Sequence, residues 1–346
     1  MKRRVIIRLV WILIFAILVY TVFVIWSDFR QNLKTLRDFT WRLYPLVLAA
    51  VLVNFVVREL KWDYYRRAGG INVPRLGSFL VFFSGYSMCI SPGRVGELIK
   101  PFMYKEYFGQ KMSRTVPLVF CERVSDLLGM IVLAAVTLTA YMAGVQHKGG
   151  GWLSPGMIYG FLVFSAVFVA AMIWLIRQKS IMHHVGGLLS LSSRIERSLH
   201  HIRALYHATH PLLTVKNLAV TTAMAFFSWA FECWALMIIL HGVGADQITF
   251  GQATFVFCMA TIFGGFLFFL PGGLGGFEAT MTIMLSLLGV LKFQAVSATF
   301  LVRLSTLFFG VAIGFLFILI TSAKYHKPIK WDEFDKAETE IERESP

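Results

Sequence analysis

Long apolar runs at residues 5–26, 43–57, 115–143, 157–176, 218–240 and 296–323 decide what this chain can fold into. A helix needs roughly 20 predominantly apolar residues to cross a bilayer, where its backbone polar groups must pair within the segment. The six runs are therefore read as full transmembrane helices. With 57% hydrophobic and 15% charged residues among 346, the chain has too little polar surface to enclose such runs in a water-soluble domain. The fold class is an all-α polytopic integral membrane protein, with one transmembrane domain over 1–323 and a solvated tail over 324–346. The first run follows Lys2, Arg3 and Arg4 and has no small-residue cleavage site behind it, so it reads as a retained span.

Two further apolar stretches, 78–108 and 250–291, are broken near the middle. The first break runs Ser91, Pro92, Gly93, Arg94, Val95, Gly96, Glu97; the second runs Pro271, Gly272, Gly273, Leu274, Gly275, Gly276, Phe277, Glu278. Each half has about 15 residues, short of a crossing, which predicts two re-entrant helical hairpins. The pattern continues downstream. Gly109 precedes Glu122, Arg123, Val124, Ser125 and Asp126, while Gly289 precedes Val302, Arg303, Leu304 and Ser305. The prolines are 179 residues apart and the arginines 180, so a hairpin-plus-span unit occurs twice, at about 78–143 and about 250–323. Three crossings separate the hairpins, and an odd number inverts the second copy, the architecture of alternating-access transporters. Packing kinks between close helices would explain glycine-rich breaks, but not the charges that accompany both.

The net charge of +14 sits mostly between the spans, where it orients them against an anionic membrane surface; this argues against nucleic acid as a partner. Arg58, Lys61, Arg66, Arg67 and Arg75 are assigned to one cytoplasmic loop, and Lys100, Lys105, Lys111 and Arg114 to the far side of the first hairpin. The basic segment 177–211 and Lys324 to Lys330 fall on the same side. Both termini are then cytoplasmic, in a bacterial-type inner membrane. Residues 28–42 violate the rule with Arg30, Lys34, Arg37 and Arg42, and Phe29, Leu33, Leu36 and Phe39 at helical spacing suggest an amphipathic helix on the outer surface. Cys89, Cys121, Cys233 and Cys258 stand singly within apolar segments and form no disulfide or zinc framework. Six histidines in the basic segment have no accompanying ligands at metal spacing and read as part of an interfacial helix on anionic lipid.

After each break a half-helix begins, near Gly96 and Gly276, with unpaired amides that attract an anion. Glycine lets a phosphate oxygen reach the backbone, and Arg94 adds a charge. Arg123 and Arg303 lie inside spans and need partners; Glu97 and Glu278 are the candidates, with Glu122 and Asp126 flanking Arg123. These groups are either structural ion pairs or carboxylates that hold the arginines until an anionic headgroup competes for them. Glu232 is either a protonated structural residue or a proton-coupling site. Arg58 and Glu59 read as interface anchors that also face the first site. The candidate substrate-binding set is Arg58, Glu59, Pro92, Gly93, Arg94, Gly96, Glu97, Glu122, Arg123, Asp126, Pro271, Gly272, Gly273, Gly275, Gly276, Glu278 and Arg303. Neither HExxH nor GxSxG occurs, and no catalytic residue, metal or cofactor is assigned.

The PGRVGE and ERVSDLLG runs within 91–129, with Arg58 to Trp62 and PGGLGGFE, resemble the flippase-like transmembrane family found as the membrane region of lysylphosphatidylglycerol synthases. The resemblance covers about 11–323. It implies lipid translocation; full-length synthases add a cytoplasmic aminoacyl-transferase domain, and this sequence stops near its last span, so aminoacyl-lipid synthesis is not implied. The expected function is a lipid flippase or transporter moving an anionic or zwitterionic phospholipid or a lipid-linked intermediate. A small-solute or ion secondary transporter and an intramembrane lipid-modifying enzyme are the alternatives. Membrane lipids are the expected partners, and a homo-oligomer is compatible with the sequence.

The orientation is testable by cysteine labelling in intact cells. A probe near His147 or Ala245 should be tagged and one near Arg194 spared; the reverse pattern inverts the topology.

Overall fold

The computed structural model describes residues 25–91, 96–144, 209–266 and 270–327, with isolated positions between 18 and 23 and between 156 and 174. Most of the predicted spans 5–26 and 157–176, nearly all of the basic segment 177–211, the tail beyond 327 and the break residues Pro92, Gly93, Arg94 and Val95 lie outside the described residues.

Among the described residues the architecture is helical. The helices are α1 (Phe29–Asp38), α2 (Tyr44–Ala68), α3 (Arg75–Ser84), α4 (Ile99–Phe108), α5 (Met112–Gly144), α6 (Val215–Gly242), α7 (Phe250–Phe266), α8 (Gly276–Leu287), α9 (Lys292–Arg303) and α10 (Phe309–Lys324). Four helical segments are long and apolar enough to cross a membrane: Trp41–Ala68, Met112–Ala143, Val215–Gly242 and Lys292–Lys324. They coincide with four of the six predicted spans. The last of them joins α9 and α10 through a π-turn at Leu304–Phe308, directly after Arg303.

One boundary differs instructively from the sequence reading. The run 43–57 is the apolar part of a helix that continues to Ala68, and Arg58, Lys61 and Arg66 are buried in it rather than carried on a loop. Lys100, assigned to the far side of the first hairpin, is likewise buried in α4. Hydropathy ends a span at the first charge, whereas a helix continues wherever the charge finds a counter-charge.

Both broken stretches are helix, break, helix. α3 continues as a 3-10 turn over Gly85–Met88 before the first break, and α4 follows it; α7 and α8 flank the second. At 1.5 Å per residue the arms measure about 15 to 25 Å, less than the roughly 30 Å hydrocarbon core. The second arms end alike. Gly109 and Gly289, the glycines matched by the repeat, both have positive φ, 64° and 84°, where a left-handed residue stops a helix.

The two units exchange contacts. The first arm of the first hairpin, α3, packs on α10 of the second unit, and the first arm of the second hairpin, α7, packs on α5 of the first. α2 and α6, which precede the two hairpins, pack on each other between them. The predicted amphipathic helix is α1, capped by Asp28, whose Oδ1 accepts from the amides of Arg30 and Gln31. It exposes Phe29 and Leu33 while Asn32 is buried and accepts a bond from Ser297 of α9.

The closest interlocking is at Gly314 in α10, against the 3-10 turn that leads into the first break. A methyl group there would lie 2.6 Å from Ser87 Cα and collide with the Ser87 amide nitrogen, and backbone cannot swing aside. Gly314→Ala should therefore cost about 1–3 kcal/mol. Gly265→Ala, where no described residue lies within 4 Å, should be neutral or slightly stabilising. Thermal unfolding of the two variants in detergent checks the difference.

Candidate functional site

The two arginines singled out by the repeat each find the glutamate that follows a break. Arg123 on α5 places Nη2 2.6 Å and Nε 2.8 Å from Glu97 Oε2. Arg303, at the end of α9, places Nε 2.7 Å from Glu278 Oε1. Corresponding residues of the two units thus make the same bond, which ties each break to the span that follows it.

Around the first pair lies a larger buried network. Arg58 Nη2 is 3.0 Å from Glu122 Oε1 and 3.4 Å from Asp126 Oδ2. Lys100 Nζ is 2.6 Å from Glu122 Oε2, and Lys61 pairs with Asp126 Oδ1. Trp229 Nε1 donates to the same Asp126 oxygen at 3.2 Å. Glu122, Asp126 and Lys61 are each no more than 2% exposed. Aromatic faces carry part of the cationic charge: the Arg58 guanidinium lies 5.6 Å from the Tyr86 ring centre and 5.5 Å from that of Trp229, and Lys100 Nζ lies 4.5 Å from Trp62.

A cavity of about 110 Å³ opens between these groups, and both units line it: Glu97, Glu122 and Arg123 from the first, Gly272 and Arg303 from the second, with Arg58 of α2 also in its wall. Glu232, on α6, is also in the wall and faces Arg58 and Tyr86. The remaining predicted residues divide. Asp126 and Glu278 stand behind the wall, pairing with the arginines that line it. Gly273 O accepts from Arg303 Nη2 at 3.4 Å. Pro271 starts the 3-10 turn of the second break, and Gly276 opens α8. Glu59 turns away from the cavity into a two-pronged pair with Arg75, at 2.6 and 2.7 Å. Pro92, Gly93 and Arg94 lie outside the described residues.

The half-helix starts are not empty. Gly275 N donates to Glu278 Oε2 at 2.6 Å, so the positive end of α8 is met by a carboxylate of its own first turn. Gly96 N donates to Ser91 Oγ at 2.8 Å. The two arginines also differ in setting. The Arg123 side chain is 28% exposed and that of Arg303 9%, the latter lying 3.9 Å from the centre of the Phe277 ring. Among the described residues no group of histidine, cysteine and carboxylate side chains is arranged to hold a metal.

Sequence reasoning missed Lys61, Lys100, Tyr86 and Trp229. A signal existed for the lysines: Lys61 is three residues after Arg58 and Lys100 three after Glu97, which puts each pair on one helix face. The two aromatics carried none, being two of many in apolar helices.

A family profile described as the lysylphosphatidylglycerol synthase TM region matches residues 13–314, and the chain belongs to that family. Two UPF0104 membrane proteins of Methanothermobacter thermautotrophicus are 24% and 22% identical to it, over 78% and 87% of this chain and 83% and 90% of their own lengths. A UPF0104 membrane protein of Pyrococcus horikoshii is 23% identical over 85% of this chain and 91% of its own.

Glu122 holds two buried cations, so its neutralisation exposes the cost of the network. Glu122→Gln should lower stability by about 3–5 kcal/mol, because Arg58 and Lys100 lose a counter-charge that water cannot replace. Adding Lys100→Met should recover part of that loss. Lys327→Gln, which breaks a half-exposed pair with Glu106, should change stability by no more than about 1 kcal/mol. Thermal unfolding at constant detergent concentration measures all three.

Proposed function

We propose that this protein is a lipid translocator that passes the polar headgroup of an anionic or zwitterionic phospholipid, or of a lipid-linked intermediate, through the cavity between its two repeats, without changing the lipid covalently. The observation that carries this reading is the meeting in one cavity of two equivalent arginines, each held by a glutamate next to a helix break. Membership of a family named for the membrane region of a lipid synthase supports a lipid as the cargo.

The physical logic is exchange of counter-charge. A guanidinium within a span is stable only while paired; the planar fork of Arg123, which grips Glu97 through Nε and Nη2, suits a phosphate equally, and Arg303 offers the same group beside Glu278. An anionic headgroup entering the cavity replaces the carboxylate on one arginine, then on the other. In this reading the two hairpins enter the bilayer from opposite faces, so that each arginine serves one leaflet. The orientation is that of an inner-membrane protein with both termini cytoplasmic. Arg123, the more exposed of the two, is the one presented to a ligand in this conformation, while Arg303 is covered by Phe277. Among the described residues, the side chains around the cavity bind charge and show no nucleophile set beside a base, which supports transport over catalysis. A small anionic solute is the second reading, favoured by the modest free volume of about 110 Å³.

Reconstitution into liposomes tests both. Arg123→Lys and Arg303→Lys keep the charge and lose the fork. At matched abundance and thermal stability, each should reduce redistribution of a labelled phospholipid between leaflets by about tenfold or more, equivalent to about 1.4 kcal/mol of lost recognition. Lysine variants that match the parent would make the arginines structural counter-charges. Uptake of an entrapped phosphate ester with no lipid movement would favour the second reading, and a covalently altered lipid would favour an enzyme.

A further inference from the structure

The glycine breaks invite an anion, yet the amides of Gly275 and Gly96 are engaged by Glu278 and Ser91, and unfilled hydrogen-bonding capacity is found elsewhere in the cavity wall. Among the described residues, two polar groups that line it are buried and make no hydrogen bond: Arg58 Nε and the Tyr86 hydroxyl. Arg58 is 6% exposed and Tyr86 9%. A buried donor left unpaired is costly, and such a group in a folded protein calls for a reason such as a bound ion or a functional role. The described charged groups that face Tyr86 are Arg58, Glu122, Glu232 and Arg123, so the hydroxyl sits where cations and carboxylates of α2, α5 and α6 converge.

The chemistry of the pair is selective. Arg58 Nε can only donate, and a tyrosine hydroxyl beside a guanidinium completes a second donor to the same ligand. Arg123 offers a third contact, since its side chain is the most exposed of the cavity cations. We propose that Arg58 Nε, the Tyr86 hydroxyl and the exposed edge of Arg123 form an acceptor-oxygen subsite that receives the phosphodiester of the cargo, on the cavity wall made by α2, the 3-10 turn after α3, and α5. The carboxylates nearby set the charge class. Glu97, Glu122 and Glu232 line the cavity with Arg58, Lys100, Arg123 and Arg303, so the described lining side chains carry one net positive charge when ionised. One added negative charge is tolerated there better than two. A phosphodiester carries one charge at neutral pH, whereas inorganic phosphate and phosphomonoesters carry about 1.5 to 2. The subsite therefore prefers a lipid phosphodiester to free phosphate.

The inference rests on the transport reading for the identity of the cargo, and its test separates the two. Tyr86→Phe removes one oxygen that has no partner among the described residues, so the variant should unfold at the parental temperature. Calorimetric titration of the purified full chain with dihexanoyl phosphatidylglycerol should show about fivefold to tenfold weaker binding for Tyr86→Phe than for the parent. Dihexanoylglycerol, which lacks the phosphate, should bind no better to the parent than to the variant, and inorganic phosphate should bind more weakly than the phosphatidylglycerol. Equal phosphatidylglycerol affinities of parent and variant overturn the subsite, as does a melting temperature lowered by several degrees, which would mean the hydroxyl is structurally engaged. Tighter, Tyr86-dependent binding of inorganic phosphate overturns the lipid assignment. If Tyr86-dependent phosphatidylglycerol binding stands while proteoliposomes move no lipid, the subsite holds and the transport reading fails.

Discussion

A charge placed in hydrocarbon has to find its counter-charge inside the protein, and the arrangement of this molecule follows from that requirement. Arg123 and Arg303 could not be tolerated within their spans as isolated cations. Each is met by a glutamate brought to the same depth by a broken helix, so the break delivers a carboxylate as well as exposing a backbone. The same requirement explains why α2 runs on past its apolar segment: Arg58 and Lys61 stay in the helix because Glu122 and Asp126 of α5 lie opposite them. Replacement of the whole network by apolar side chains would cost little by general experience with buried ion pairs, whereas loss of one member costs much. Its presence therefore points to a use for charge.

The packing that surrounds the network is reciprocal. Each hairpin leans its first arm on the last span of the other unit, α3 on α10 and α7 on α5, so neither unit can shift without the other. The contact at Gly314 places the backbone of α10 directly against the turn that opens the first break. The π-turn at Leu304–Phe308 sits where Arg303 leaves α9 for the cavity. Single-turn departures of this kind alter the direction of the side chains that follow, and they recur at functional sites.

Much of this was legible because hydrophobic length and repeated punctuation are local properties of a sequence. Four of the described helices follow from apolar runs, and the spacing of the two breaks and two arginines identified the equivalent ion pairs before any geometry was known. What escaped was set by three-dimensional neighbours. Glu59 stands next to Arg58 in sequence yet points to Arg75, because successive residues of a helix face different directions. Lys61 and Lys100 looked like loop charges since hydropathy cannot see that a carboxylate waits opposite. The half-helix starts looked open to an anion, and Glu278 fills one of them from its own first turn. Tyr86 became visible only as an unpaired hydroxyl in the cavity wall.

The equivalence of the two pairs makes their difference informative. From proline to glutamate the second break is two residues longer than the first, and the longer version carries Phe277 immediately before Glu278. That ring covers the Arg303 guanidinium at 3.9 Å, where no corresponding aromatic stands beside Glu97. A cation under an aromatic face and in contact with a carboxylate and a backbone carbonyl has three competing partners to surrender before it can take a ligand. Arg123 has its carboxylates and an open edge. The asymmetry is thus built into the sequence as well as the conformation: two copies of one device, with the same ion pair, set their arginines in different surroundings. In the proposed transport reading, a headgroup would meet different competitors at the two arginines, so the two sites would differ in occupancy while sharing their chemistry.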